Sequence, residues 1–196
     1  MVCRLFNCCT ALVILLMFCV QSTAAEQKAA AMKVAYLYYF SKFIIWPKDS
    51  FANTEHVNLC IGDVNKEVQY QLSTINNKKV KEYKLRVIHI GGIKENFNQE
   101  AIKEESSATQ ESLDLLNRCH IIFVSESMSQ WFNENSERFP EYSLVVAEDE
   151  QVVNSVILLH MRGRKLSFEI DNELAVSKQL KISAKLLKLS RKRSEL

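Results

Sequence analysis

Glycine is scarce in this chain, with only four in 196 residues, and that scarcity removes most phosphate-binding loops from consideration. Gly62-Asp63 follows a short apolar run but lacks the spaced glycines that let a backbone approach a pyrophosphate, so it reads as a strand-ending turn. There is no G-x-S-x-G elbow for a serine hydrolase. Cysteine is scarcer than its count of six suggests, because Cys3, Cys8, Cys9 and Cys19 all lie in the first 25 residues. The remaining Cys60 and Cys119 are far apart and form no C-x-x-C, while His56, His89, His120 and His160 are scattered, so three or four convergent zinc ligands are not in view. Cys119-His120 is no nucleophile and base, since neighbours on a strand point to opposite faces. With a formal charge of +2, nothing supports nucleic-acid binding. Acidic pairs such as Glu104-Glu105 and Glu148-Asp149 fall where loops are expected, and solvation explains them.

What is present begins with residues 1–25. Arg4 gives a positive start, Ala11 to Val20 (ALVILLMFCV) an apolar stretch, and Gln21 to Ala25 (QSTAA) a small-residue cleavage region, the layout of a secretory signal. An uncleaved anchor is the other reading, but the run falls short of the about 20 residues needed to span a bilayer. Phe18 ahead of Cys19 argues against a lipoprotein. The expectation is export to the periplasm by a cleavable signal, followed by one domain over residues 26–196.

Glu26 to Trp46 has no glycine or proline and is closed by Pro47, which predicts a helix. Ala30, Val34 and Leu37 share one line, and Tyr36, Phe40, Phe43 and Trp46 a neighbouring one. So wide an apolar surface needs cover on more than one side, by a sheet and by another chain, although core packing also accounts for most of these aromatics. Tyr36, Tyr39, Phe40, Phe43 and Trp46 are therefore the candidate partner or dimer surface. Strands are expected at Val57 to Ile61, Leu85 to Ile90, His120 to Ser125 and Leu144 to Ala147, with helices at Lys66 to Ile75, Leu113 to Asn117 and Met128 to Phe139, the last a surface helix. Lys94 to Ser112 reads as a polar insertion. Val156 to Met161 and Lys165 to Ile170 flank Arg162-Gly163-Arg164 as a hairpin. Asn172 to Arg193 is expected to be one terminal helix, capped by Asp171 or Asn172. Its cations Lys185, Lys188, Arg191, Lys192 and Arg193 complement a helix dipole, the alternative being a membrane or acidic-partner patch. The sum is an α/β three-layer sandwich: a mostly parallel sheet of about six strands with a C-terminal antiparallel hairpin, flanked by about five or six helices.

In the common 2-1-3-4 strand order the strands near Cys60 and Cys119 are neighbours. An oxidising compartment favours a disulfide between them over two buried free thiols. Ligands of such sheets collect at the carboxyl ends of the strands, which marks Gly62, Asp63, Ser125 and Glu126 as a candidate ligand cleft. No catalytic or metal-binding constellation emerges, and no cofactor is expected.

Five blocks, Lys33 to Pro47 (KVAYLYYFSKFIIWP), Leu59 to Asp63 (LCIGD), Cys119 to Ser125 (CHIIFVS), Gly163 to Asp171 (GRKLSFEID) and Leu180 to Leu189 (LKISAKLLKL), together resemble the YfiR family of small periplasmic proteins. The resemblance implies a non-enzymatic, dimeric periplasmic repressor that binds the periplasmic domain of an inner-membrane diguanylate cyclase, and that an outer-membrane lipoprotein sequesters. It marks Cys60 and Cys119 as the matching disulfide pair and Gly163, Arg164, Phe168 and Glu169 as the hairpin signature. The chain departs from the pattern in lacking a second, C-terminal disulfide, and in placing Val153-Asn154-Ser155 where the family commonly has a glycine pair.

Overall fold

A computed structural model describes residues 24–52, 54–90, 114–162 and 165–192. The cleavage region up to residue 23, the polar insertion at 94–112, and Gly163 and Arg164 of the hairpin signature lie outside them. Helix α1 occupies residues 24–43. It buries Ala30, Val34, Leu37 and Phe40 along one face, a spacing of four, three and three that keeps them on a single stripe. The helix ends earlier than the sequence suggests. Ile44–Ile45 (β1) leaves it to pair antiparallel with Lys181–Ile182 (β9), and Pro47 then precedes a single 3-10 turn, Lys48–Phe51.

Among the described residues, eight strands form the main sheet. They are β2 (His56–Ile61), β3 (Lys79–Val80), β4 (Tyr83–His89), β5 (Ile121–Val124), β6 (Leu144–Ala147), β7 (Ile157–Arg162), β8 (Lys165–Ile170) and β10 (Arg191–Lys192), in the order β10-β8-β7-β6-β5-β2-β4-β3. The central pairs β4-β2, β2-β5, β5-β6 and β6-β7 are parallel, and β7-β8 is the antiparallel hairpin. The expected order of the first four strands and the closing hairpin are therefore present. The excess over six comes from β3 and β10, two residues each, too short to leave a periodic trace.

Two cores lie on the two faces. On the first, Leu59, Ile61, Ile121, Phe123, Val146, Leu159 and Phe168 meet α1, helix α2 (Lys66–Ile75) and the C-terminal elements. Asn65 caps α2 by accepting from the Val68 N–H at 2.9 Å, and Val68, Leu72 and Ile75 face inward. On the second, Cys60, Ile122, Val124, Val145 and Leu158 meet Leu116, Met128 and helix α3 (Ser129–Asn135). Trp131 and Phe132 of α3 are buried there, which corrects the reading of this stretch as a surface helix. Polar neighbours on both sides conceal its two large apolar residues, which together face the sheet.

The terminal segment is the larger correction. In place of one helix there are α4 (Asn172–Ser177), β9 and α5 (Ala184–Leu189) before β10. Gln179 takes the left-handed conformation at φ 59°. Its N–H bonds the Val176 carbonyl and the Leu180 N–H bonds that of Ala175, both at 2.9 Å. This is a Schellman stop, a position that usually signals itself by glycine. Ser183 then caps α5 by accepting from the Leu186 N–H, and Asp171 caps α4 through the Leu174 N–H at 2.8 Å. Arg191 and Lys192 thus extend a sheet edge beside Glu169 and Ile170 instead of closing a helix.

Cys60 and Cys119 are joined by a disulfide, with Cα atoms 5.7 Å apart. Cys60 lies opposite Ile122 in the β2-β5 register, three residues past Cys119, so a strand continued back from Ile121 would carry Cys119 away. It does not continue: the Cys119 N–H closes a turn on the Leu116 carbonyl at 3.2 Å, which brings the sulfur back over the second face. The bridge spans 59 residues of sequence, and closing such a loop removes about 4 kcal/mol of unfolded-state entropy at room temperature. Urea unfolding with and without a thiol reductant should therefore differ in extrapolated stability by about that amount, and coincident curves would show that the bridge contributes nothing.

Candidate functional site

Two concave features and one buried titratable group stand out. The first is a cleft of about 630 Å³ at the carboxyl ends of β2, β5 and β6. The turn after β2 supplies Asp63 and Asn65, the turn after β5 supplies Ser125, Glu126 and Ser127, and Glu148 follows β6. Lys33 of α1 forms an ion pair with Glu148 at its mouth, and Val68, Phe123, Leu159 and Leu166 give it an apolar floor. The Ser125 hydroxyl donates to the Asp63 carbonyl at 2.7 Å and lies 3.1 Å from the Ser127 hydroxyl, tying the two strand ends together.

Of the expected cleft residues, Asp63, Ser125 and Glu126 line it and Gly62 does not. A Cβ at Gly62 would stand 2.5 Å from Met128 Cε, so this glycine makes room for the second core and not for a ligand. Sequence reasoning passed over Lys33 and Glu148. The strand-end rule that selects Ser125 selects Glu148 equally well, had the acidic pair not been set aside as loop solvation.

The second feature is an apolar groove of about 400 Å³ between α1 and α5. Met32, Ala35, Tyr36, Tyr39 and Phe43 line one wall at helical spacing, Leu186 and Leu189 the other, and Phe168 the floor. Tyr39 is 52% exposed and Leu189 67%. The aromatic set expected as a surface therefore divides. Tyr36, Tyr39 and Phe43 face the groove. Phe40 is fully buried, edge-on to Phe168 with centroids 5.3 Å apart, and Trp46 is buried with its indole N–H donating to the His120 carbonyl at 3.2 Å. Those two belong to the core, because the helix turns Phe40 100° per residue away from Tyr39 and the chain leaves the helix before Trp46. From the hairpin signature, Phe168 packs between Tyr36 and Phe40. Glu169, on the opposite face of β8, has Oε1 3.3 Å from His160 Nε2, a charged contact only when the ring is protonated and without hydrogen-bond alignment.

The matching family model, YfiR/HmsC-like, covers residues 30–191, and so takes in most of α1, the disulfide, the hairpin and α5. The chain belongs to the YfiR/HmsC-like family. Members are periplasmic regulators in cyclic di-GMP signalling, which accords with a domain whose prominent surfaces are a groove and a cleft. No curated protein matches the chain. Among the described residues no His, Cys, Asp or Glu cluster is placed to hold a metal ion, and no helix is long and apolar enough to cross a membrane.

The buried titratable group is His120. Its Nδ1 accepts the Asn58 N–H at 3.2 Å, so the proton sits on Nε2, which donates to the Ser50 carbonyl at 3.1 Å. The ring stacks on Phe51 with centroids 4.5 Å apart and stands edge-on to Trp46. Burial pushes its pKa down to about 4, against the opposing pull of the backbone hydrogen bonds. A protonated ring would turn a second N–H onto that of Asn58. Because the folded pKa lies below the unfolded one, the unfolded chain takes up the proton first. Stability is full above about pH 6.5, falls as pH drops toward 4, and levels off below, for a loss on the order of 3 kcal/mol. Denaturation across this window should show the slope in the parent protein and a reduced slope in His120→Gln, whereas equal slopes would place the titration elsewhere.

Proposed function

We propose that this protein is a non-enzymatic periplasmic regulator that binds the extracytoplasmic part of an inner-membrane diguanylate cyclase and represses it, lowering cyclic di-GMP. The observation that carries this reading is the α1–α5 groove. Four aromatic or methionine side chains of α1 and an exposed leucine of α5 frame an apolar recess, and a recess of that kind on an exported domain suits a protein partner. Repression requires that the domain bind the inactive arrangement of the cyclase more tightly than the active one; equal affinity would shift nothing. Export by the cleavable signal at residues 1–25, a homodimeric state, and release by an outer-membrane lipoprotein complete the proposal. Deleting the gene should raise cellular cyclic di-GMP, and re-expressing the exported protein should lower it again. An unchanged level in the deletion strain refutes repression.

The cleft favours a second reading compatible with the first. A recess with an apolar floor and an ion pair at its mouth has the make-up of a small-molecule site, and a ligand there would tune the regulator. A thermal-shift screen of metabolite classes against the mature domain should find one class that raises the melting temperature of the parent protein and not of Phe123→Ala. Uniform melting across the screen counts against it.

A further inference from the structure

The groove between α1 and α5 has a charge as well as a shape. The two helices that frame it carry Lys28, Lys33, Lys42, Lys185 and Lys188 against a single acid, Glu26, and of these Lys185 lines the groove. Lys33 is neutralised by Glu148 on the cleft side, and Lys42 lies over the Tyr38 ring, 4.4 Å from its centroid. Lys28 stands one turn before Met32 on α1, and the α5 side keeps Lys185, whose Nζ is 5.6 Å from the Phe43 ring centroid, and Lys188 one turn further on. Both α5 lysines are exposed. An apolar channel is thus rimmed on one side by positive charge.

The length of the channel sets its occupant's form. From Met32 to Phe43 the α1 wall runs eleven residues, about 16 Å at the helical rise, or three turns. Tyr36, Tyr39 and Phe43 would meet one face of a third helix laid along it, with Leu186 and Leu189 on the other side. We propose that the α1–α5 groove receives an amphipathic helix of a partner protein, about three turns long, with an apolar stripe against Tyr36, Tyr39, Phe43 and Leu189 and acidic residues facing Lys185 and Lys188. This rests on the reading of the domain as a partner-binding regulator and specifies the surface it uses.

Two other occupants fit less well. A second copy docked groove to groove would bring its own Lys185 and Lys188 against the first pair, which like-charge repulsion opposes. An anionic bilayer would reach the rim but not the floor, since Phe168 and Leu186 lie buried beneath it.

The test uses the mature protein and two designed 18-residue helical peptides with the same leucine stripe, one flanked by glutamate and the other by lysine, read by fluorescence anisotropy. The glutamate peptide should bind, more weakly as salt rises, and the lysine peptide should not. Leu189→Ser, at an exposed position, should weaken binding roughly tenfold with an unchanged melting temperature. Lys185→Glu with Lys188→Glu should reverse the preference between the peptides. Equal binding of both peptides, indifference to Leu189→Ser, or a Leu189-dependent affinity for phosphatidylglycerol vesicles instead of the glutamate peptide would each overturn the assignment. Failure here with cyclic di-GMP still raised in the deletion strain removes the occupant and leaves the regulator. Success here with cyclic di-GMP unchanged keeps the groove and removes the cyclase.

Discussion

The packing of α1 on the sheet is the constraint from which the rest of this structure follows. Ala30, Val34, Leu37 and Phe40 bury one stripe of the helix against the first core, and Phe168 of the hairpin fits edge-on against both Tyr36 and Phe40. Burying Val34, Leu37 and Phe40 contributes about 1.5–3 kcal/mol each. That orientation leaves Tyr39 exposed and Phe43 at the edge of the core, and it brings Lys33 to the cleft. Groove and cleft are therefore two consequences of one helix orientation.

The opposite end of the helix is held by a different kind of bond. Where α1 gives way to β1 and the 3-10 turn, a neutral His120 joins three segments at once: the Asn58 N–H on β2, the Ser50 carbonyl in the turn, and, through its own carbonyl, the Trp46 indole. The ring must stay uncharged to accept the Asn58 N–H, which a protonated Nδ1 could not do, whereas the His120 carbonyl, which also accepts from the Leu144 N–H at 2.9 Å, holds Trp46 in either state. On the other sheet face the disulfide fixes the entry into β5 beside β2. The two devices hold the same pair of strands from opposite faces, one polar and acid-sensitive, the other covalent. Among the described residues, Cys60–Cys119 is the single covalent brace.

Much of this was legible in the residues. The four parallel strands, α2 with its Val68-Leu72-Ile75 line, and the hairpin all follow from hydrophobic period, because each buries a full face. What was missed has a physical signature that sequence hides. Gln179 stops a helix in a role where glycine would have announced itself. Trp131 and Phe132 read as surface because the polar residues around them outnumber them. Phe40 and Tyr39 are adjacent aromatics with opposite fates, and only the helix phase against Phe168 decides which is core. Within the cleft, Asp63, Ser125 and Glu126 follow from the strand-end rule, whereas Lys33 comes from a helix distant in sequence and becomes visible only once α1 is docked.

The account treats a YfiR/HmsC-like domain as a rigid scaffold that offers one charged apolar groove to a partner helix. The most direct measurement is site-specific photocrosslinking in living cells, with the crosslinker placed at Tyr39 in the groove or at Val153, which is exposed beside α3 on the opposite layer. The account predicts that Tyr39 captures an inner-membrane protein carrying a diguanylate cyclase domain and that Val153 does not. Capture from Val153 alone, or equal capture from both positions, would contradict it.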